Sequence, residues 1–101
     1  MRSVEVRRLY REAKPLRGTR VVVFLAPGAG DSAVVAARTV GGAVQRNRAR
    51  RILREAWRQV SPQVRNASDV VLVAREGVRG AKTQDLVAEM EGLLHDRGVL
   101  R

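Results

Sequence analysis

Residues 46–58 read RNRARRILREAWR. Six are arginine and one is glutamate, a formal +5, which is half of the +10 carried by the 101-residue chain. Beneath the charge lies an apolar pattern. Ala49, Ile52, Leu53, Ala56, Trp57 and Val60 recur at helical spacing over about three turns. At about 100° per residue they cover an arc of roughly 140°. Arg46, Arg50, Arg54 and Arg58 form an i+4 ridge beside the Trp57 edge, with Asn47 and Arg51 behind it. Arg48 and Glu55 sit on the other flank. Ser61-Pro62 ends the helix, since the residue before proline avoids helical geometry. Like charges at i+4 repel by a few tenths of a kcal/mol per pair, about 0.2–0.5. A partner outside the helix should therefore compensate. Four residues advance about 6 Å along a helix axis, close to the spacing of successive phosphates along a nucleic-acid strand. Asn47 either meets a backbone or base edge or caps the helix.

The helix needs a surface to dock on, and the flanking sequence supplies one. Arg20–Ala26 is β-branched and aromatic, apolar on both faces, and predicts an internal strand. Ser32–Arg38 predicts a second, joined through the tight PGAGD connection. Val40-Gly41-Gly42 breaks that pattern. After the arginine helix, Asp69–Arg75 predicts a third strand. A last helix begins at Thr83 as cap and buries Leu86, Val87, Met90, Leu93 and Leu94, with Asp85 in its first turn and Gly98 near its end. At the other end, residues 3–13 place Val6, Leu9, Tyr10 and Ala13 on one face of a short helix. Ser3 is its expected cap, and Lys14-Pro15 stops it. The order α-β-β-α-β-α is α/β or α+β, with helices packed on a small sheet.

Length and composition imply a single domain, residues 1–101, able to bury a core. With no cysteine there is no disulfide framework and no cysteine-ligated metal. No apolar run is long enough to span a bilayer, and the N-terminus lacks a signal core. A cytoplasmic protein with no membrane partner is expected. Twenty basic residues against ten acidic ones give a pI near 11.7, which points to a polyanionic partner. Eighteen of the twenty are arginine. GC-rich codon usage accounts for most of that preference, but not for the basic excess itself. His95 is the sole histidine and lies near a helix end beside Asp96. The carboxylates are scattered, and no glycine loop cradles phosphate. No catalytic residue and no metal ligand is assigned. Tyr10 and Phe24 suit either a core or a groove where single-stranded bases stack.

GGAVQRNRARRILREAWR (41–58) resembles the signature of the bacterial ribonuclease P protein family: glycine, Ala-Val, Arg-Asn-Arg, a basic pair, then Arg-Glu-Ala-aromatic-Arg. LYREAKPLRG, VVVFLAPG and DVVLVAR resemble that family's first helix and turn, first strand, and the strand after the arginine helix. The resemblance implies a two-layer α/β sandwich whose strand–helix–strand crossover is left-handed. It implies an RNA-binding subunit whose RNA partner, with magnesium, hydrolyses the phosphodiester at the 5′ end of precursor tRNA. Carried over by position, Arg38, Arg46, Asn47, Arg48, Arg50, Arg51 and Arg54 would contact the catalytic RNA. Val6, Tyr10, Val22 and Phe24 would line a cleft for the single-stranded 5′ leader. The implied partners are ribonuclease P RNA and precursor tRNA; no DNA is expected. Two positions depart from the family: Thr39 stands where a second basic residue is usual, and Val6 where an aromatic is. The alternatives are a ribosomal-protein-like or helix-turn-helix-like binder without a catalytic role, and a self-sufficient nuclease, which the scattered carboxylates disfavour.

Overall fold

The computed structural model describes all 101 residues. Its elements are α1 (Ser3–Glu12), β1 (Leu16–Arg17), β2 (Val21–Pro27), β3 (Ser32–Ala36), α2 (Ala43–Val60), β4 (Ser68–Ala74) and α3 (Thr83–Arg97). Short 3-10 turns lie at Arg38–Val40, Ser61–Gln63 and Glu76–Val78. The predicted order is present with one addition: β1 is two residues long, too short to show any periodicity.

The sheet runs β1-β2-β4-β3. β2 pairs antiparallel with β4 from Val21↔Ala74 to Pro27↔Ser68. β3 pairs parallel with β4 from Ser32↔Val70 to Ala36↔Ala74. β3, α2 and β4 are therefore a crossover unit between adjacent parallel strands. Although joined by only four residues, β2 and β3 do not pair; β4 lies between them. The connection steps over the start of β4 and is held there by Asp69. Its Oδ1 accepts the Gly30 N–H at 3.2 Å and the Asp31 N–H at 2.9 Å. Gly28 allows this close approach: a Cβ there would sit 2.2 Å from Asp69 Oδ2.

Strand alternation divides the apolar residues between two faces. Val21, Val23, Val70 and Leu72 join the buried stripes of α2 and α3 in the main core. Val71 faces the opposite way, under Leu9 and Ala13, with Phe24, Ala33, Val35 and Val73 half-buried around it. The molecule is thus a sandwich of the sheet against α2 and α3, with α1 lying over part of the second face. The apolar continuity of β2 and β4 follows from both faces being covered.

Three local expectations change. Ser3 is the first helical residue, not the cap; Arg2 precedes it and no side chain caps α1. Thr83 likewise begins α3, and the N-cap is Lys82, whose N–H donates to the Asp85 carboxylate at 2.8 Å. The third-position carboxylate thus supplies the half of a capping box that takes the N-cap N–H, and no side-chain hydroxyl caps the first turn. The second long strand stops at Ala36, not Arg38. A 3-10 turn there drives Val40 into the core at 0% exposure, and Gly41, at φ +141°, leads into α2.

Candidate nucleic-acid interface

α2 docks as its stripe predicts. Ala49, Ile52, Leu53, Ala56 and Val60 are buried, and half-buried Trp57 packs on the edge of the same core. Asn47, Arg51, Arg54 and Arg58 are exposed on the far side, with Arg46 and Arg50 half-exposed. No acidic residue lies in the first turn. Asn47 is the fifth helical residue, too deep to cap, so the capping alternative falls. Its Oδ1 instead accepts a hydrogen bond from Arg50 Nη2, which orients both groups on one surface. Arg46 Nη1 donates to the Gly41 carbonyl at 2.9 Å, and Arg48 Nη2 to the Ala81 carbonyl. Arg51 and Arg54 have no hydrogen-bond or ion-pair partner in the chain. Arg38 is exposed on the turn just before α2.

The ridge is not uniformly free. Arg58 grips Glu55 with two bonds, Nε to Oε2 at 3.0 Å and Nη2 to Oε1 at 2.5 Å. About 60° of helix separates these two positions, which long side chains span easily. The hydrogen bonds from Arg58, and then from Gln59, hold the Glu55 carboxyl below its ordinary pKa. The same bond raises Arg58 above its own. The last turn is internally neutralised, contrary to the sign-pure ridge expected, and the free cationic surface ends at Arg54.

A second surface lies on the sheet's other face. Tyr10, Val22 and Phe24 line a recess of about 330 Å³ together with Val73 and Arg17. The Tyr10 and Phe24 rings meet edge to face, with centroids 4.9 Å apart and planes at 66°. Tyr10 remains 42% exposed, and partial burial raises its pKa, so the phenol is a protonated donor at neutral pH. Val6 is not in this recess; it packs with the Leu9, Ala13 and Val71 cluster. Sequence reasoning missed Val73 and, more consequentially, Arg17. It sits on β1, an element without a sequence signal, and puts a cation at the mouth of an otherwise apolar recess.

Elsewhere, arginine serves the fold. Arg8 Nη2 meets Asp69 Oδ2 at 3.0 Å, and Arg20 Nη1 meets Glu89 Oε1 at 3.2 Å. These carboxylates are only 14% and 12% exposed. Glu89 also accepts the Arg20 and Val21 N–H groups at 2.9 and 3.0 Å and the Thr19 hydroxyl at 3.1 Å. No three His, Asp or Glu side chains come together as a metal site. No helix is long and apolar enough to cross a membrane.

Comparisons with known proteins agree with this fold. Residues 2–97 match the family described as Ribonuclease P. The chain is 29% identical over 100 residues to the ribonuclease P protein component of Syntrophomonas wolfei, covering 96% of this chain and 84% of that protein. It is 31% identical over 64 residues to the component of Oceanobacillus iheyensis, a match spanning 63% of this chain and about half, 53%, of that protein. Among solved structures, the Staphylococcus aureus RNase P protein superposes with a TM-score of 0.81 at 19% identity, covering 100% of this chain and 95% of that one. The Thermotoga maritima protein gives 0.78 at 21%, covering 95% and 94%. At such identities the structures speak to the fold alone, whereas the family match spans nearly the whole sequence. The chain belongs to the ribonuclease P protein family.

Proposed function

We propose that this chain is the protein subunit of ribonuclease P, an RNA-binding cofactor to a ribozyme that removes the 5′ leader of precursor tRNA in the cytoplasm. Hydrolysis belongs to the RNA. In this reading the magnesium the reaction uses is held mainly by RNA phosphates. The protein binds the catalytic RNA along α2 with Arg46, Asn47, Arg50, Arg51 and Arg54, flanked by Arg38 and Arg48. It holds the single-stranded leader in the recess of Tyr10, Val22 and Phe24, with Arg17 on the leader backbone.

The observation that carries this reading is the unpartnered cationic face of α2. The helix is fixed to the core by five buried apolar residues, while Arg51 and Arg54 face solvent with no ion-pair or hydrogen-bond partner, Glu55 being taken by Arg58. The rigid planar fork of a guanidinium matches phosphate geometry, so less ordering is lost per bond formed than with a single-point cation. A ridge of such groups gains further by releasing counterions from the RNA.

Reconstitution tests the reading. The chain is mixed with a bacterial ribonuclease P RNA and precursor tRNA at low magnesium, and 5′ cleavage is followed. The expected result is a rate well above that of RNA alone, with no cleavage by the protein alone. No gain over RNA alone would leave a nucleic-acid binder outside this reaction. Cleavage by the protein alone would make it a nuclease in its own right.

A further inference from the structure

A third recess, of about 370 Å³, opens beside the C-terminal end of α2. It is near the lower end of volumes that take small organic molecules. Trp57, Arg65, Asn66, Ser68 and Arg101 contribute to its lining, and none of its lining side chains is acidic. The wall is held in shape by backbone bonds. Val64 bridges Leu100, the Arg65 N–H donates to the Val99 carbonyl at 2.7 Å, and the Arg101 N–H donates to the Gln63 carbonyl at 2.8 Å. Residues 99–101 thus staple the connection between α2 and β4 and set Arg101 at the rim. Ser68 Oγ donates to the Asn66 carbonyl at 3.0 Å, leaving its lone pairs as acceptors. Arg65 reaches the Leu100 carbonyl at 3.3 Å. The Asn66 amide and the Arg101 guanidinium have no side-chain partner in the chain.

These groups match one ligand chemistry. A half-buried indole offers an aromatic surface for stacking. A free amide offers both a donor and an acceptor to a base edge, and guanidinium groups take a phosphate. An acidic peptide would use the guanidinium groups and leave the indole and amide idle. Position points the same way, since Trp57 is one helical turn from Arg54, where the free part of the ridge ends.

We propose that the recess takes one unstacked nucleotide of the RNA bound along α2, its base against Trp57, its edge on Asn66 and its phosphate at Arg101. This rests on the RNA-binding reading above but adds a base-contacting pocket at the far end of the ridge. Trp57 is the sole tryptophan, so the intact protein carries its own reporter. Titrating it with ribonuclease P RNA should quench its emission saturably, with the midpoint found by filter retention of the same RNA. Asn66→Ala and Arg101→Ala should each weaken retention severalfold. Trp57→Leu should weaken it by about tenfold, within the range of base–aromatic stacking, while melting with an intact transition. Full retention with unchanged Trp57 emission would overturn the pocket and leave the α2 reading standing. So would a folded Trp57→Leu variant that binds like the wild type. If that variant does not fold, the wild-type emission and the Asn66 and Arg101 variants decide. Failure of the RNA to be retained at all would overturn both readings.

Discussion

Arginine does opposite jobs at two places in this molecule. Arg8 and Arg20 lie against Asp69 and Glu89, carboxylates almost removed from water and also bonded to backbone N–H groups. Arg51 and Arg54 lie on α2 without an ion pair, the nearby Glu55 being held by Arg58. The first pair ties α1 and α3 to the loops around β2 and β4. The second adds repulsion that the fold does not relieve. One residue type is thus divided by its surroundings into anchors and free cations. Arg58 stands between the two classes, on the ridge by position but already spent on Glu55.

The sharpest way to break this division is Glu89→Ala. It strips two N–H groups and a guanidinium of their acceptor in a nearly dry place, and such losses cost about 3 kcal/mol. A melting temperature lower by more than about 10 °C is expected by calorimetry. A fall under about 3 °C would make Arg20 no anchor. Next comes the double variant Arg51→Ala, Arg54→Ala. Its melting should hold within about 0.5 kcal/mol of wild type, while RNA binding weakens and its log–log salt slope falls by about 1.5. Equal loss of binding at every salt concentration would move these arginines into the structural class. Tyr10→Ala probes the aromatic recess on the sheet's other face. It should weaken binding of precursor tRNA by about fivefold or more and leave mature tRNA nearly unaffected. Equal losses would remove the leader from that recess.

The smallest effect is at the boundary. Glu55→Gln frees Arg58 and should raise the salt slope by up to about 0.9. In the wild type, Arg58 depresses the Glu55 pKa in the folded state. The pair's stabilisation is therefore present above the ordinary carboxylate pKa and is lost as pH falls through the depressed value. Acid melting curves of Glu55→Gln should lack that part of the pH dependence. An unchanged acid limb would show that the pair contributes nothing.

Much of this was legible because it rests on periodicity. The α2 stripe names its buried face residue by residue, since a rigid helix carries every third or fourth side chain to the same side. The recess of Tyr10, Val22 and Phe24 was reachable through resemblance. Val6 was carried over with them by the same resemblance, yet it packs in the Leu9, Ala13 and Val71 cluster beside the recess rather than lining it. Asp69 and Glu89 were invisible as anchors. Each sits at the margin of an apolar stretch, where a carboxylate normally faces water, and its partners lie 61 and 69 residues away in the chain. Asn47 was ambiguous until the start of α2 at Ala43 put it beyond the cap.

Sequence alone determined the helices, the long strands, the buried side of α2 and the excess of positive charge, because these depend on neighbours within a few residues. Tertiary structure alone decided that β4 enters between β2 and β3, and which arginines find a carboxylate. It also decided that residues 99–101 close a recess against Trp57. Those outcomes depend on which distant groups meet after the sheet has formed, and no local pattern encodes the meeting.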